Sequence, residues 1–225
     1  MSLPSLISFF IENDLPLFGG DFMNRRDVLQ RLQEFTAATI YEAAGKMGDM
    51  EPTIRSIVPG KRMIGPAFTV KCFVGDARAV ALAIDRAQPG DILVIDAGGT
   101  ERATPWGSMS SQAAKMRGLG GCVTNGAVRD IEELIEIGFP VFAKGISVRG
   151  NVKLHPGWIG LPICVGGVVV KPGDIMIGDS DGVVVLPTER AEEVCAKAEE
   201  QQKKEKEIFR RIRSGEPLTV IFGLR

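Results

Sequence analysis

Histidine is almost missing from this chain of 225 residues: His155, in a loop beside Pro156, is the only one. A catalytic triad or a histidine-rich metal cluster therefore lacks its usual centre, and His155 is given no catalytic role. Cysteine is scarce and scattered. Cys72, Cys122, Cys164 and Cys195 form no Cys-x-x-Cys pair, which disfavours a thiolate metal site and reads all four as small buried residues in a reducing compartment. No apolar run reaches membrane-spanning length, because Leu161 to Val170 is interrupted by Pro162, Gly166 and Gly167. Leu6 to Ile11 has no basic segment before it and is followed by Glu12 and Asp14, so it is not read as a signal peptide and the expected location is cytoplasmic. A formal net charge of −1 gives no global electrostatic case for nucleic acid.

What is present is aliphatic. Hydrophobic residues make up 44% of the chain and charged residues 24%, with 27 Gly and 13 Pro. That is the profile of a globular chain with a sizeable core and many turns. The expected organisation is a single domain over 1–225, with 1–22 an arm docking on the body or on a neighbouring subunit. Apolar spacing predicts helices over 24–35, 39–46, 77–87 and 108–117. Strands are expected over 67–74 and over 92–96, the latter a continuous apolar run suited to burial on both faces. A further apolar run starts at Gly121 and ends in an Asn125-Gly126 turn, followed by an amphipathic stretch from Ile131 to Gly138 and a strand over 140–144. Three closely spaced strands, 163–170, 175–177 and 183–186, are separated by Pro172-Gly173-Asp174 and Asp179 to Gly182. A long charged helix over 188–213 and a closing strand over 218–222 complete the chain. Alternating βα units thus give way to a β-rich portion.

Four features carry possible chemistry. Arg129 and Asp130 stand side by side where a strand meets a helix, the place at which open α/β folds hold ligands. An adjacent guanidinium and carboxylate suit an anionic substrate together with a cation. Asp130 followed by Glu133 equally satisfies a capping box. The Gly-rich loop 98–107 leads into a helix start at Ser108, where backbone N–H groups suit a carboxylate or phosphate. It matches neither a P-loop nor a Gly-x-Gly-x-x-Gly fingerprint, so nucleotide binding is not indicated. On the 188–213 helix, Val194, Ala198, Gln201, Ile208, Phe209 and Ile212 form one stripe, and Glu205 falls in its middle. A carboxylate there needs a partner or a wet cleft, in this chain or in a neighbour. Arg149 and Lys153 follow a strand end and are available to an anion, with surface solvation as the default reading. Lys203, Lys204 and Arg210 read as a solvated helix face.

The order and spacing of Pro59-Gly60, Gly65 to Val70, Pro89-Gly90-Asp91, Trp106-Gly107, Asn125 to Asp130, Pro140 to Gly145, Gly166 to Val170, Pro172-Gly173-Asp174 and Asp179 to Pro187 resemble the RraA-like family. That family holds the regulator of ribonuclease activity A and the metal-dependent 4-hydroxy-4-methyl-2-oxoglutarate aldolases. The resemblance covers roughly residues 36–222. It implies an α/β fold of the three-layer β/β/α swivelling type, assembled as a homotrimer or a hexamer with active sites at subunit interfaces. It implies Mg²⁺ or Mn²⁺ bound by Asp130, with Arg129 meeting a small-molecule keto-acid and Glu205 supplied by a neighbouring subunit. The substrate-binding set carried over is Arg129, Ser108, Met109, Ser110 and Lys153. Where the aldolases carry an acid about twenty residues before the Arg-Asp pair, this chain has Ser108. Glu101 or Asp96 of the same loop are the acids available to stand in.

The resemblance further implies a lyase that cleaves a C–C bond of a hydroxy-keto-dicarboxylic acid and releases pyruvate. Oxaloacetate decarboxylation should accompany it, since both pass through the same enolate. The alternative is a non-catalytic regulator binding a protein such as a ribonuclease. The demethylmenaquinone methyltransferase label often given to the family finds no nucleotide loop here to hold S-adenosylmethionine. Neither membrane nor nucleic acid is an expected partner.

Overall fold

The computed structural model describes residues 22–224. The expected arm over 1–22 lies outside them apart from Phe22. Helices α1 (Phe22–Leu32) and α2 (Ala37–Ala43) come first, then strands β1 (Arg55–Ser56) and β2 (Met63–Lys71). Three βα steps follow: α3 (Arg78–Arg86) and β3 (Ile92–Asp96), α4 (Ser108–Met116) and β4 (Gly121–Val128), α5 (Ile131–Ile137) and β5 (Val141–Ile146). The β-rich portion holds β6 (Trp158–Ile159), β7 (Ile163–Val165), β8 (Val168–Val170), β9 (Ile175–Asp179) and β10 (Gly182–Leu186). Helices α6 (Ala191–Arg213) and α7 (Leu218–Ile221) end the chain.

The main sheet runs β1-β5-β4-β3-β2-β9-β10 in space, with β6 added on β2. Strands β2 to β5 are parallel, and β1, β9 and β10 join antiparallel. The sheet curls until its ends nearly meet. Just before β1, Met50 N donates to Val183 O (2.9 Å) and Gly48 O accepts from Val185 N (2.8 Å), so one short segment runs along β10 and then pairs with β5.

Side-chain alternation follows from this closure. Ile92 and Val94 of β3 point inward with Met63, Val123, Phe142, Met176 and Val185. Leu93 and Ile95 point outward to α3, α4 and α5 with Val80, Ala114 and Leu134. A strand covered on both faces reads as unbroken apolar sequence. The interior is plugged by the β7–β8 hairpin through Ile163, Val165 and Val170. On the remaining side α1, α2 and α6 cover β9 and β10 with Leu32, Ile40, Val194 and Ala198. This is the mixed α/β class that was expected.

Several local expectations are corrected. Residues 163–170 are two strands, because Gly166 (φ 56°) and Gly167 (φ 78°) take left-handed conformations and turn the chain back on itself. Asn125-Gly126 is no turn: it lies inside β4, at a register shift against β5 between Thr124 and Ala127. The expected closing strand over 218–222 is the short helix α7, which starts after Pro217 (φ −63°). A segment as short as Leu-Thr-Val-Ile-Phe cannot reveal its period. The helix expected over 188–213 begins as a 3-10 turn over Thr188–Arg190. Cys164 is exposed, whereas Cys72, Cys122 and Cys195 are buried as expected. Burial pushes the Cys72 thiol up to about 12. No helix among the described residues is long and apolar enough to cross a membrane.

Candidate functional site

Parallel strands deliver their following loops to one end of a sheet, and that end gathers ligand-binding groups. Here the loop after β3, the junction after β4 and the loop after β5 meet in one cleft. Its lining includes Thr104, Gly107, Met109, Ser110, Arg129, Asp130, Asn151 and Lys153, with Trp106 behind them. The space measures about 460 Å³ counting the mouth that opens to solvent.

Each wall has its own anchor. Loop 97–107 is tied down at Ala97, whose N–H donates to Asn125 Oδ1 (2.7 Å). Asn125 Nδ2 in turn donates to Asp96 Oδ1 (2.9 Å). Farther along, Ala103 O accepts from Ala127 N and Trp106 O accepts from Arg129 N, so the loop lies along β4. A side chain on Gly126 would strike Ala103 O and Ala97 Cβ, both at 2.9 Å. The indole of Trp106 is fully buried, donates to Ser111 Oγ (2.6 Å) and stacks on Phe139. The loop after β5 is tied to the loop after β2, with Val152 N donating to Gly75 O and Ala77 N to Val152 O.

Asp76 completes that tie. Its carboxylate accepts from Arg78 N, Leu154 N and His155 N at 2.8–2.9 Å, and His155 Nδ1 lies 3.1 Å away. Burial alone would raise its pKa, but the three backbone N–H groups and the imidazole outweigh that and hold the carboxyl well below the usual range. Lys153 is thereby positioned through the two residues that follow it.

Arg129 and Asp130 follow the end of β4 directly and line the cleft. Asp130 does not cap its own helix as expected. It sits at φ 60°, ψ 50°, and its side chain makes no bond to the first turn of α5, so the capping box with Glu133 does not form. Its Oδ2 instead accepts from both N and Oγ of Ser108, each at 3.1 Å. The carboxylate therefore caps α4, and Arg129 Nε stands 3.5 Å from the same oxygen. Gly107 makes room, since a Cβ there would lie 2.6 Å from Asp130 Oδ2. Ser111 N bonds Gly107 O, which leaves the first-turn N–H groups of Met109 and Ser110 without an acceptor among the described residues.

The structure thus brings Arg129, Asp130, Met109, Ser110 and Lys153 to one cleft, with Ser108 bonded to Asp130 at its edge. Glu205 is elsewhere: it is half-buried on α6, where Gln201 Nε2 donates to it (3.1 Å). Beyond it Phe209 and Ile212 of the expected stripe are exposed. Neither stand-in acid lines the cleft. Asp96 is taken by Asn125, Gly98 N and Lys71, and Glu101 is exposed with its side chain over Gly145. Thr104 and Asn151 were not singled out from sequence, and Gly107 was named only as part of a loop and a motif, although it stands directly before a helix start.

Among the described residues no group of three or more His, Cys, Asp or Glu converges as a metal cluster. The donor set suits a hard dication that keeps most of its waters, which needs one or two carboxylates rather than a cage. Every hydrogen bond and ion pair of the Asp130 carboxylate among the described residues falls on Oδ2, and Oδ1 is the oxygen open to a cation.

Comparison with known proteins agrees with the fold. A Halalkalibacterium halodurans protein named "Putative 4-hydroxy-4-methyl-2-oxoglutarate aldolase" is 35% identical over 176 residues, covering 78% of this chain and 84% of its own length. The solved structure of a protein from Pseudomonas syringae pv. tomato superposes with a TM-score of 0.78 at 30% identity, covering 86% of this chain and 91% of that one. Streptomyces coelicolor RraAS2, described as an unusual member of the RNase ES inhibitor RraA family, gives a TM-score of 0.74 at 26% identity over 85% of this chain and 98% of its own. The family model described as RraA-like, Aldolase/RraA, matches residues 37–185, and this chain belongs to that family.

Proposed function

We propose that this protein is a divalent-metal-dependent lyase that releases pyruvate from a hydroxy-keto-dicarboxylic acid; the name of its Halalkalibacterium relative, "Putative 4-hydroxy-4-methyl-2-oxoglutarate aldolase", supports the aldolase part of this reading. The observation that supports this most is the meeting of Arg129, the Asp130 carboxylate and the first turn of α4 in one cleft. Asp130 would hold Mg²⁺ or Mn²⁺, whose contribution when bound is Lewis-acid polarisation of a keto oxygen. Arg129 offers a planar fork of donors to the substrate's carboxylate or to the enolate oxygen that C–C cleavage leaves. The free N–H groups of Met109 and Ser110 add the positive end of a helix dipole to the same anion. Lys153 supplies a second cationic side chain to the cleft. A water oriented by Glu205 from a neighbouring copy in a homotrimer or hexamer would take the proton of the substrate hydroxyl. Oxaloacetate, whose decarboxylation leaves the same enolate, is a second substrate.

The test is pyruvate release from 4-hydroxy-4-methyl-2-oxoglutarate and from oxaloacetate, with Mg²⁺, Mn²⁺ or a chelator. Metal-dependent turnover that Arg129→Ala abolishes is expected, and no turnover on either acid would overturn the reading. One observation favours the second reading, a non-catalytic RraA-like regulator: Ser108 stands where the aldolases' acid is expected, which leaves a single carboxylate in the cleft.

A further inference from the structure

Two polar groups in the cleft are buried and unsatisfied. Thr104 is 5% exposed, and its Oγ1 has no hydrogen-bond partner among the described residues. The same holds for Asn151 Nδ2. The orientation of that amide is set by its neighbour: Thr104 N, which can only donate, bonds Asn151 Oδ1 at 3.1 Å. The amino end is therefore the end left open. Both residues line the cleft beside Lys153. Buried polar atoms are nearly always paired, so each exception calls for a partner that binds there. A third unsatisfied hydroxyl, Thr69 Oγ1, lies within β2 and does not line the cleft.

The chemistry of the missing partner follows from the donor set. An amide N–H, a hydroxyl and an ammonium are among the groups of the cleft lining, while the sole acid in that lining, Asp130, is engaged by Ser108 and Arg129. An ionised carboxylate is acceptor-only and takes up several donors at once. We propose that Thr104 and Asn151, with Lys153, form a second subsite that holds the distal carboxylate of a dicarboxylate. They would select two-acid substrates over monocarboxylates. This rests on the reading that the Arg129 side takes the keto-acid end.

Two unreactive five-carbon acids isolate the effect, because 2-oxoglutarate and 2-oxopentanoate differ only at the distal group. Binding of each would be measured by titration calorimetry with Mn²⁺ present, for wild type, Thr104→Val, Asn151→Ala, Thr104→Ser and Arg129→Ala. Wild type is expected to prefer 2-oxoglutarate by roughly tenfold or more, as when a buried donor loses its partner. Thr104→Val, which keeps the side-chain shape, and Asn151→Ala should each remove most of that preference while leaving 2-oxopentanoate binding unchanged. Thr104→Ser should restore it. Arg129→Ala should weaken both acids alike. If wild type shows no preference, or the preference survives both Thr104→Val and Asn151→Ala, the subsite is overturned and a bound water satisfies the two donors instead. If neither acid binds wild type, or Arg129→Ala binds both as wild type does, the keto-acid reading falls and takes the subsite with it.

Discussion

Asp130 lies just past the end of one strand and caps the helix that follows another: its Oδ2 lies 3.1 Å from both N and Oγ of Ser108. A carboxylate already turned toward Ser108 makes that serine the natural site for a second one. Ser108→Asp would bring two carboxylates together at the positive end of α4. Affinity for Mn²⁺ should rise by about tenfold or more, as charge and ligand count increase. Without metal the like charges should lower the melting temperature. Calorimetric titration and a thermal melt with and without Mn²⁺ check both directions, and unchanged Mn²⁺ affinity would show that the two side chains do not share a cation.

Gly107 is held to glycine by proximity rather than by backbone angle. At φ −164° its backbone is extended, but a Cβ would lie 2.6 Å from Asp130 Oδ2 and 3.2 Å from Arg129 Cγ. Gly107→Ala should displace both side chains, with an overpacking cost of about 1–3 kcal/mol. Pyruvate release is expected to fall far more than global stability does, read as kcat/KM against a denaturant midpoint.

The parts legible in sequence were those that local chemistry decides. The strand over Ile92–Asp96 and the helix start at Ser108 came out as expected, since one is an unbroken apolar run and the other follows Gly107 at the end of a loop. The layered α/β class came from motif order rather than from any single segment. What stayed hidden depends on residues distant in the chain. Asn125-Gly126 looks like a turn by itself, and only pairing with β3 and β5 turns it into strand interior. Asp130 looks like a cap for α5, and only the fold shows it 3.1 Å from a helix start 22 residues earlier. The unsatisfied groups of Thr104 and Asn151 exist only as a three-dimensional arrangement.

Asp76 makes the Lys153 loop sensitive to acid. Its carboxyl is held low in the folded protein, while an unfolded Asp titrates near pH ~3.9. The stabilisation is therefore complete above about pH 4 and is lost as pH falls through the lower folded value. Asp76→Ala removes the acceptor of three backbone N–H groups and should cost about 2–3 kcal/mol at pH 7. The gap between wild type and variant in urea denaturation should shrink below about pH 4. Keto-acid binding should weaken in parallel, because the loop carrying Asn151 and Lys153 loses its tie.

Asn125 ties the other wall, and its amide is needed at both ends. Oδ1 accepts from Ala97 N, while Nδ2 donates to Asp96 Oδ1 at 2.9 Å and reaches Cys164 O at 3.4 Å. Asn125→Asp changes shape very little but replaces the donor with an acceptor beside a buried carboxylate. Two carboxylates at that distance cannot both ionise without penalty, so one is forced to hold a proton in the fold. A pair whose folded pKa is raised loses stability as pH rises. The variant should be destabilised by roughly 2–4 kcal/mol at pH 7 and should approach wild type as pH falls toward 5. Denaturation midpoints across that range check the sign: a deficit that stays constant with pH would mean that Asp96 and residue 125 do not share a proton. Since Ala97 begins the loop that ends at Gly107, weaker keto-acid binding at pH 7 should recover over the same pH interval.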